Sequence, residues 1–164
     1  MSRPSTLAQA IGLVVWLAIA FAAAGVGGIA SIDAGSFYAD LVKPRWAPPG
    51  SLFGPVWSVL YFLMGIGAWM VWRERDAKGR SAALALFFVQ LAANAFWSWL
   101  FFAWRKGALA FAEVLLLLAL IAATVVAFWR VRRLGSLLLF PYLAWVCFAS
   151  ALTWAVWQRN PRLL

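Results

Sequence analysis

The 164-residue sequence contains no histidine and a single cysteine, Cys147. The missing histidine excludes His-ligated zinc, His-ligated haem and any Ser-His or Cys-His catalytic pair. The lone cysteine excludes an intramolecular disulfide. No metal site is expected. Charge is also scarce: charged residues make up 12% of the chain, about half the usual soluble share.

What is present is apolar surface. Hydrophobic residues make up 66% of the chain, and the mean hydropathy is +0.88. A soluble domain of this length cannot keep that much apolar surface out of water. The net charge of +9 does not point to nucleic acid, because the basic residues sit in short clusters between long apolar runs. They form no face or stripe. That placement fits Lys and Arg anchoring membrane helix ends to head groups. The lipid bilayer is the expected partner, and nucleic acid is not.

Five runs are long enough to cross a hydrocarbon core, which takes about 20 helical residues. They cover 7–30, 51–72, 81–104, 107–129 and 134–157, and only the fourth holds an acid, Glu113. Such long continuous runs do not suit alternating barrel strands, and spanning backbone must otherwise be helical. The expected fold is all-α: a single transmembrane domain over 1–164, built as a five-helix bundle. The first run exceeds a signal-peptide core of roughly 7–15 residues and reads as a retained helix.

The connections add detail. Arg105-Lys106 is a two-residue break, so the third and fourth helices should be antiparallel neighbours. Residues 31–50 form the one long connection and carry Pro44, Pro48 and Pro49. Those prolines argue against a regular helix there. A loop this long in a compact domain is usually functional, and it reads as a structured cap over one end of the bundle. With five spans, Arg3, Arg73, Arg75, Lys78, Arg80, Arg130, Arg132 and Arg133 share one side. Lys43, Arg45, Arg105, Lys106, Arg159 and Arg162 share the other, so the positive-inside bias is slight.

Twelve tryptophans stand out. Trp72, Trp104, Trp129 and Trp157 lie at helix ends, where aromatic belts form. Trp46, Trp57, Trp97 and Trp145 coincide with other signals. In the third run Gln90, Asn94, Trp97 and Phe101 share one helical face. Buried amides need partners, either interhelical hydrogen bonds or a polar handle in an aromatic pocket. Trp57, Tyr61, Met64 and Ala68 make a similar stripe in the second run. Trp145, Ala149 and Leu152 make one in the fifth, one turn after Pro141. Ala24 and Gly28 form a small-xxx-small pair suited to close helix approach. Glu113 is a weak catalytic candidate; a structural hydrogen bond is its simpler role.

These motifs resemble the TspO/MBR family of translocator proteins and bacterial tryptophan-rich sensory proteins. The resemblance is carried by Lys43-Pro44-Arg45-Trp46-Ala47-Pro48-Pro49 and by Gly54-Pro55-Val56-Trp57-Ser58-Val59-Leu60-Tyr61. Asn94-Ala95-Phe96-Trp97 and Pro141-Tyr142-Leu143-Ala144-Trp145 extend it. It implies a five-helix bundle, often a homodimer, that binds porphyrins such as protoporphyrin IX and other hydrophobic ligands between the helices, with no cofactor required. It implies a pocket lined by Trp57, Asn94, Trp97, Trp145 and Ala149, with Tyr61 and Gly28 close by. The first loop, with Lys43, Pro44, Trp46, Pro48 and Pro49, would be its lid. Trp57 and Trp145 match tryptophans linked in some members to light-dependent porphyrin breakdown, which makes a photochemical enzyme the alternative to a sensor, carrier or scavenger. A tetrapyrrole or sterol transporter is a further alternative. Glu113 falls where relatives carry an acid. At Trp154 the chain departs from the sterol motif of animal members, which has a central Tyr there. The expected location is a multi-pass membrane protein, with inner and outer bacterial membrane both open.

Overall fold

The computed structural model describes residues 5–164, so Arg3 lies outside the described residues. The element order is α1 (Thr6–Ala30), α2 (Ala34–Asp40), α3 (Phe53–Trp72), α4 (Arg80–Ser98), α5 (Gly107–Val131), α6 (Arg133–Leu137) and α7 (Phe140–Arg159). A short 3₁₀ turn (Gly50–Leu52) leads into α3, and a π-turn (Trp99–Ala103) follows α4. Among the described residues, five helical stretches are long and apolar enough to span a membrane: α1, α3 with its 3₁₀ turn, α4 with its π-turn, α5, and α6 continued by α7. The chain is a multi-pass membrane protein.

The five expected spans are present, with two differences. The fifth run is not one helix. It divides between Leu137 and Phe140, where the chain turns and restarts with Pro141 in the first turn of α7. Proline lacks an N–H and fits that turn, where no intrahelical partner is needed. The first connection is not free of helix either. Its prolines begin at Pro44, so nothing opposes a helix upstream of them, and α2 forms there.

The α4 and α5 helices pack along each other as antiparallel neighbours, as the two-residue break requires. The α1 helix lies against α3 and α4, and α5 lies against α7. Close approach is set at the far end of the bundle by Gly67 and Gly135. A Cβ added to Gly67 would meet the Gly135 carbonyl oxygen at 2.8 Å, and the reverse contact would be 2.9 Å. So α3 and α6 touch backbone to backbone. Nearer the first loop, α3 and α7 meet mainly through side chains: Phe53 with Trp145 at 5.9 Å and Trp57 with Tyr142 at 6.2 Å between ring centroids. That splay leaves room for a cavity at the loop end.

Two apolar clusters hold the structure. The larger runs through the bundle around Met64, Phe87, Phe128 and Tyr142. The smaller lies under the first loop and joins Phe37, Tyr38 and Leu41 to Phe101, Leu152 and Val156. The loop is thereby a folded cap. The Lys43 ammonium donates to the carbonyls of Tyr38, Ala39 (3.1 Å) and Leu41 (2.9 Å), capping the C-terminal end of α2. A cation at that end also complements the helix dipole. The Tyr38 hydroxyl donates to the Pro48 carbonyl at 3.0 Å. Burial pushes the Tyr38 phenol above its usual range, which keeps that hydroxyl a donor.

Candidate functional site

A cavity of about 410 Å³ lies between α1, α3, α4 and α7, closed on one side by α2. Its size falls in the usual range for small-molecule sites. It occupies the loop-end half of the bundle, because its lining comes from the end of α1, the start of α3, the end of α4 and the second turn onward of α7.

Gly28, Trp57, Tyr61, Asn94, Trp97, Trp145 and Ala149 all line this one cavity. Trp57 leans on Tyr61 at 5.7 Å between centroids, and Trp97 stacks on Phe101 at 5.1 Å. The Trp145 ring sits between Phe53 and Phe148, at 5.9 and 5.3 Å. Small residues supply the open space. Nothing lies within 4 Å of a Cβ added to Gly28, and Ala24 lines the same wall. The Ala24–Gly28 pair therefore faces the cavity rather than a neighbouring helix. Close helix contact belongs to Gly27, whose added Cβ would meet the Ser98 hydroxyl at 3.2 Å.

The amides do not act as free polar handles. Tyr61 Oη donates to Asn94 Oδ1 at 2.8 Å, and Asn94 Nδ2 donates to Tyr142 Oη at 2.8 Å. Tyr142 Oη donates onward to Gln90 Oε1 at 2.9 Å. All four residues are buried, so each donor and acceptor left without a partner would carry a desolvation cost. The chain ties α3, α4 and α7 together at the end of the cavity farthest from the loop. Tyr142 is its hub, and the helical stripes had not singled it out as a site residue. Pro141 beside it was the available signal.

Of the five expected lid residues, none touches the cavity. Lys43 caps α2, and Pro44 is buried. Trp46 is exposed and rests edge-on against Phe148 at 5.8 Å. Pro48 receives the Tyr38 hydroxyl, and Pro49 leads into the 3₁₀ turn. The cap meets the cavity through Gly35, Tyr38 and Gly50 instead. In α4, the π-turn adds a residue to the last turn, so Phe102 rather than Phe101 reaches the cavity. Such π-turns recur at functional sites.

The lining is neutral. No Lys, Arg, Asp or Glu lines the cavity among the described residues. The Ser31 and Ser58 hydroxyls donate to the Gly27 and Gly54 carbonyls at 2.8 and 2.9 Å. Glu113 does not line the cavity. Both its carboxyl oxygens are buried without a hydrogen-bond partner among the described residues, so the expected structural hydrogen bond is not made. No group of His, Cys, Asp and Glu able to hold a metal occurs among the described residues.

The TspO/MBR family model matches residues 12–158. The chain belongs to the TspO/MBR family. It is 42% identical to the translocator protein of Homo sapiens over 126 residues, covering 76% of this chain and 75% of that protein. It is 39% identical to the tryptophan-rich protein TspO of Chlorobaculum tepidum over 160 residues, covering 95% and 96%. It is 40% identical to protein CrtK of Rhodobacter capsulatus over 145 residues, covering 87% and 89%. This TspO/MBR chain thus shares most of its length with both animal and bacterial members.

Proposed function

We propose that this TspO/MBR protein binds porphyrins of the protoporphyrin IX class, and other planar hydrophobic molecules, in the cavity beneath its first loop. It would serve as a sensor, carrier or scavenger. The observation that carries the reading is the cavity wall: Trp57, Trp97 and Trp145 on three helices around a neutral space of about 410 Å³. Flat indoles beside small residues suit the flat apolar macrocycle of such a ligand, which gains both area burial and ring contact. The names of two relatives, a translocator protein and a tryptophan-rich sensory protein of Cereibacter sphaeroides, fit a membrane binding or sensing role. Assembly as a homodimer is part of the proposal and is checked by cross-linking in membranes.

Titration of protoporphyrin IX into the purified protein in nanodiscs tests it, read by quenching of tryptophan fluorescence. Saturable quenching that weakens in Trp145→Phe supports binding at this site. Quenching that never saturates, or that is equal in both proteins, opposes it.

A photochemical reading is favoured by one further observation. Trp57 lies within 5.7 Å of the Tyr61 ring, which lines the cavity, and 6.2 Å of the Tyr142 ring buried behind it, so electron-rich rings cluster at and behind one cavity wall. Illumination of the complex separates the two readings. Loss of the porphyrin spectrum in wild type, but not in Trp57→Phe or Trp145→Phe, marks degradation. A stable spectrum marks binding alone.

A further inference from the structure

Asn160 is a buried polar residue at the very end of α7, in a segment (Gln158-Arg159-Asn160-Pro161) that reads as a polar tail. Its side chain is fully engaged. Asn160 Oδ1 accepts from the Val42 backbone N–H at 2.9 Å, and Asn160 Nδ2 donates to the Val42 carbonyl at 3.0 Å. The same Nδ2 donates to the Val156 carbonyl at 2.7 Å, which fixes the amide against its own helix. The amide therefore pairs with Val42 as a neighbouring β-strand residue would, across 118 positions of sequence.

Among the described residues, these are the only hydrogen bonds that join residues 32–49 to any part of the chain beyond the adjoining end of α1 and the 3₁₀ turn. The remaining attachments are apolar or cation–ring contacts. Phe37 packs on Phe101 at 6.2 Å and on Phe102 at 6.4 Å, and Arg105 lies over the Phe37 ring at 4.7 Å. Trp46 rests on Phe148. Such contacts are non-directional and tolerate sliding. A two-point amide pair does not, because hydrogen bonds weaken steeply with angle. The stretch from Leu41 to Pro49 has no helix or strand of its own, so its position depends on outside anchors.

We infer that Asn160 is a positioning residue, a clasp that holds the cap over the cavity and sets how fast the cavity exchanges its contents. The helix that carries the clasp also carries Trp145 and Ala149 of the cavity wall, so cap and wall are registered to one rigid element. Opening requires both Val42 bonds to break and α2 to move with them, because α2 carries Gly35 and Tyr38, the cap residues that meet the cavity. The exchange-rate part of the inference rests on the proposed binding of ligands in the cavity. The clasp itself does not.

Two variants and two readouts test it in the full-length protein in nanodiscs. Asn160→Ala removes every bond. Asn160→Asp keeps the acceptor for the Val42 N–H and loses both donations. Hydrogen–deuterium exchange without ligand is the first readout. Exchange at 41–47 should rise about tenfold or more in Asn160→Ala, less in Asn160→Asp, with the cores of α3 and α5 unchanged. Cap exchange within twofold of wild type in Asn160→Ala overturns the clasp. So does a uniform rise across all spans, which would make Asn160 a fold-stabilising residue only. Protoporphyrin IX release, followed by recovery of tryptophan fluorescence, is the second readout. Release should accelerate in the same order, Ala above Asp above wild type. Faster cap exchange with unchanged release overturns the gating role. Failure of protoporphyrin IX to bind wild type counts against the proposed function, and the exchange readout still decides the clasp.

Discussion

The Tyr61 hydroxyl donates to the Asn94 side-chain carbonyl over 2.8 Å, joining α3 to α4 at the inner end of the cavity. Asn94 passes the connection to Tyr142 on α7 through its amide N–H. An asparagine that lines a cavity is therefore first a strut between three helices. Its carbonyl and one N–H are occupied before any ligand arrives.

The strut makes Tyr142 the more sensitive position. Tyr142→Phe keeps the ring and its packing. It leaves an Asn94 N–H and the Gln90 carbonyl without partners in a fully buried setting. Loss of those bonds should cost about 1–3 kcal/mol. Thermal unfolding in detergent checks this, with Asn94→Leu expected to fall by a similar amount. A Tyr142→Phe protein that melts with wild type would mean the network contributes nothing.

Gly28 and Gly25 form a matched pair for cavity filling. Both sit in α1, and a Cβ at either meets nothing within 4 Å. Only Gly28 lines the cavity. Gly28→Leu should weaken protoporphyrin IX binding by about tenfold or more, the equivalent of ~1.4 kcal/mol, with the fold intact. Gly25→Leu should bind as wild type. Equal affinity in the two variants would place the ligand elsewhere.

Glu113 carries two buried carboxyl oxygens with no hydrogen-bond partner among the described residues and stands outside the cavity lining. An unpartnered buried polar group costs stability. Glu113→Met should raise the melting temperature, consistent with a gain of about 1–3 kcal/mol, and leave ligand affinity unchanged. A lower melting temperature would show that the carboxyl has a stabilising partner.

Much of this was legible in the sequence because two signals are local. Run length marked the spans, since a bilayer demands about 20 apolar residues. Helical spacing marked the faces bearing Trp57 and Tyr61, Asn94 and Trp97, and Trp145 and Ala149, since residues three or four apart share a side. What the sequence hid depends on how helices are rotated against one another. Stripe spacing placed Gln90 and Asn94 on one face but left open whether a ligand or a tyrosine would meet them. Tyr142 belongs to none of the stripes, and its role shows only once its hydroxyl is seen between two amides. The π-turn after Ser98 shifts the register by one residue, which exchanges Phe101 for Phe102 at the cavity. Asn160 reads as part of a polar tail, and its partner is a backbone group 118 residues away. The α2 helix was obscured by prolines that follow it without interrupting it.

Binding of protoporphyrin IX by wild type and Gly28→Leu, titrated side by side in nanodiscs and read by tryptophan quenching, bears on the cavity itself. Saturable quenching in wild type, with saturation shifted to about tenfold or higher ligand in Gly28→Leu, is the predicted result. Superimposable curves, or quenching that rises without saturation in both, would contradict a porphyrin site beneath the first loop.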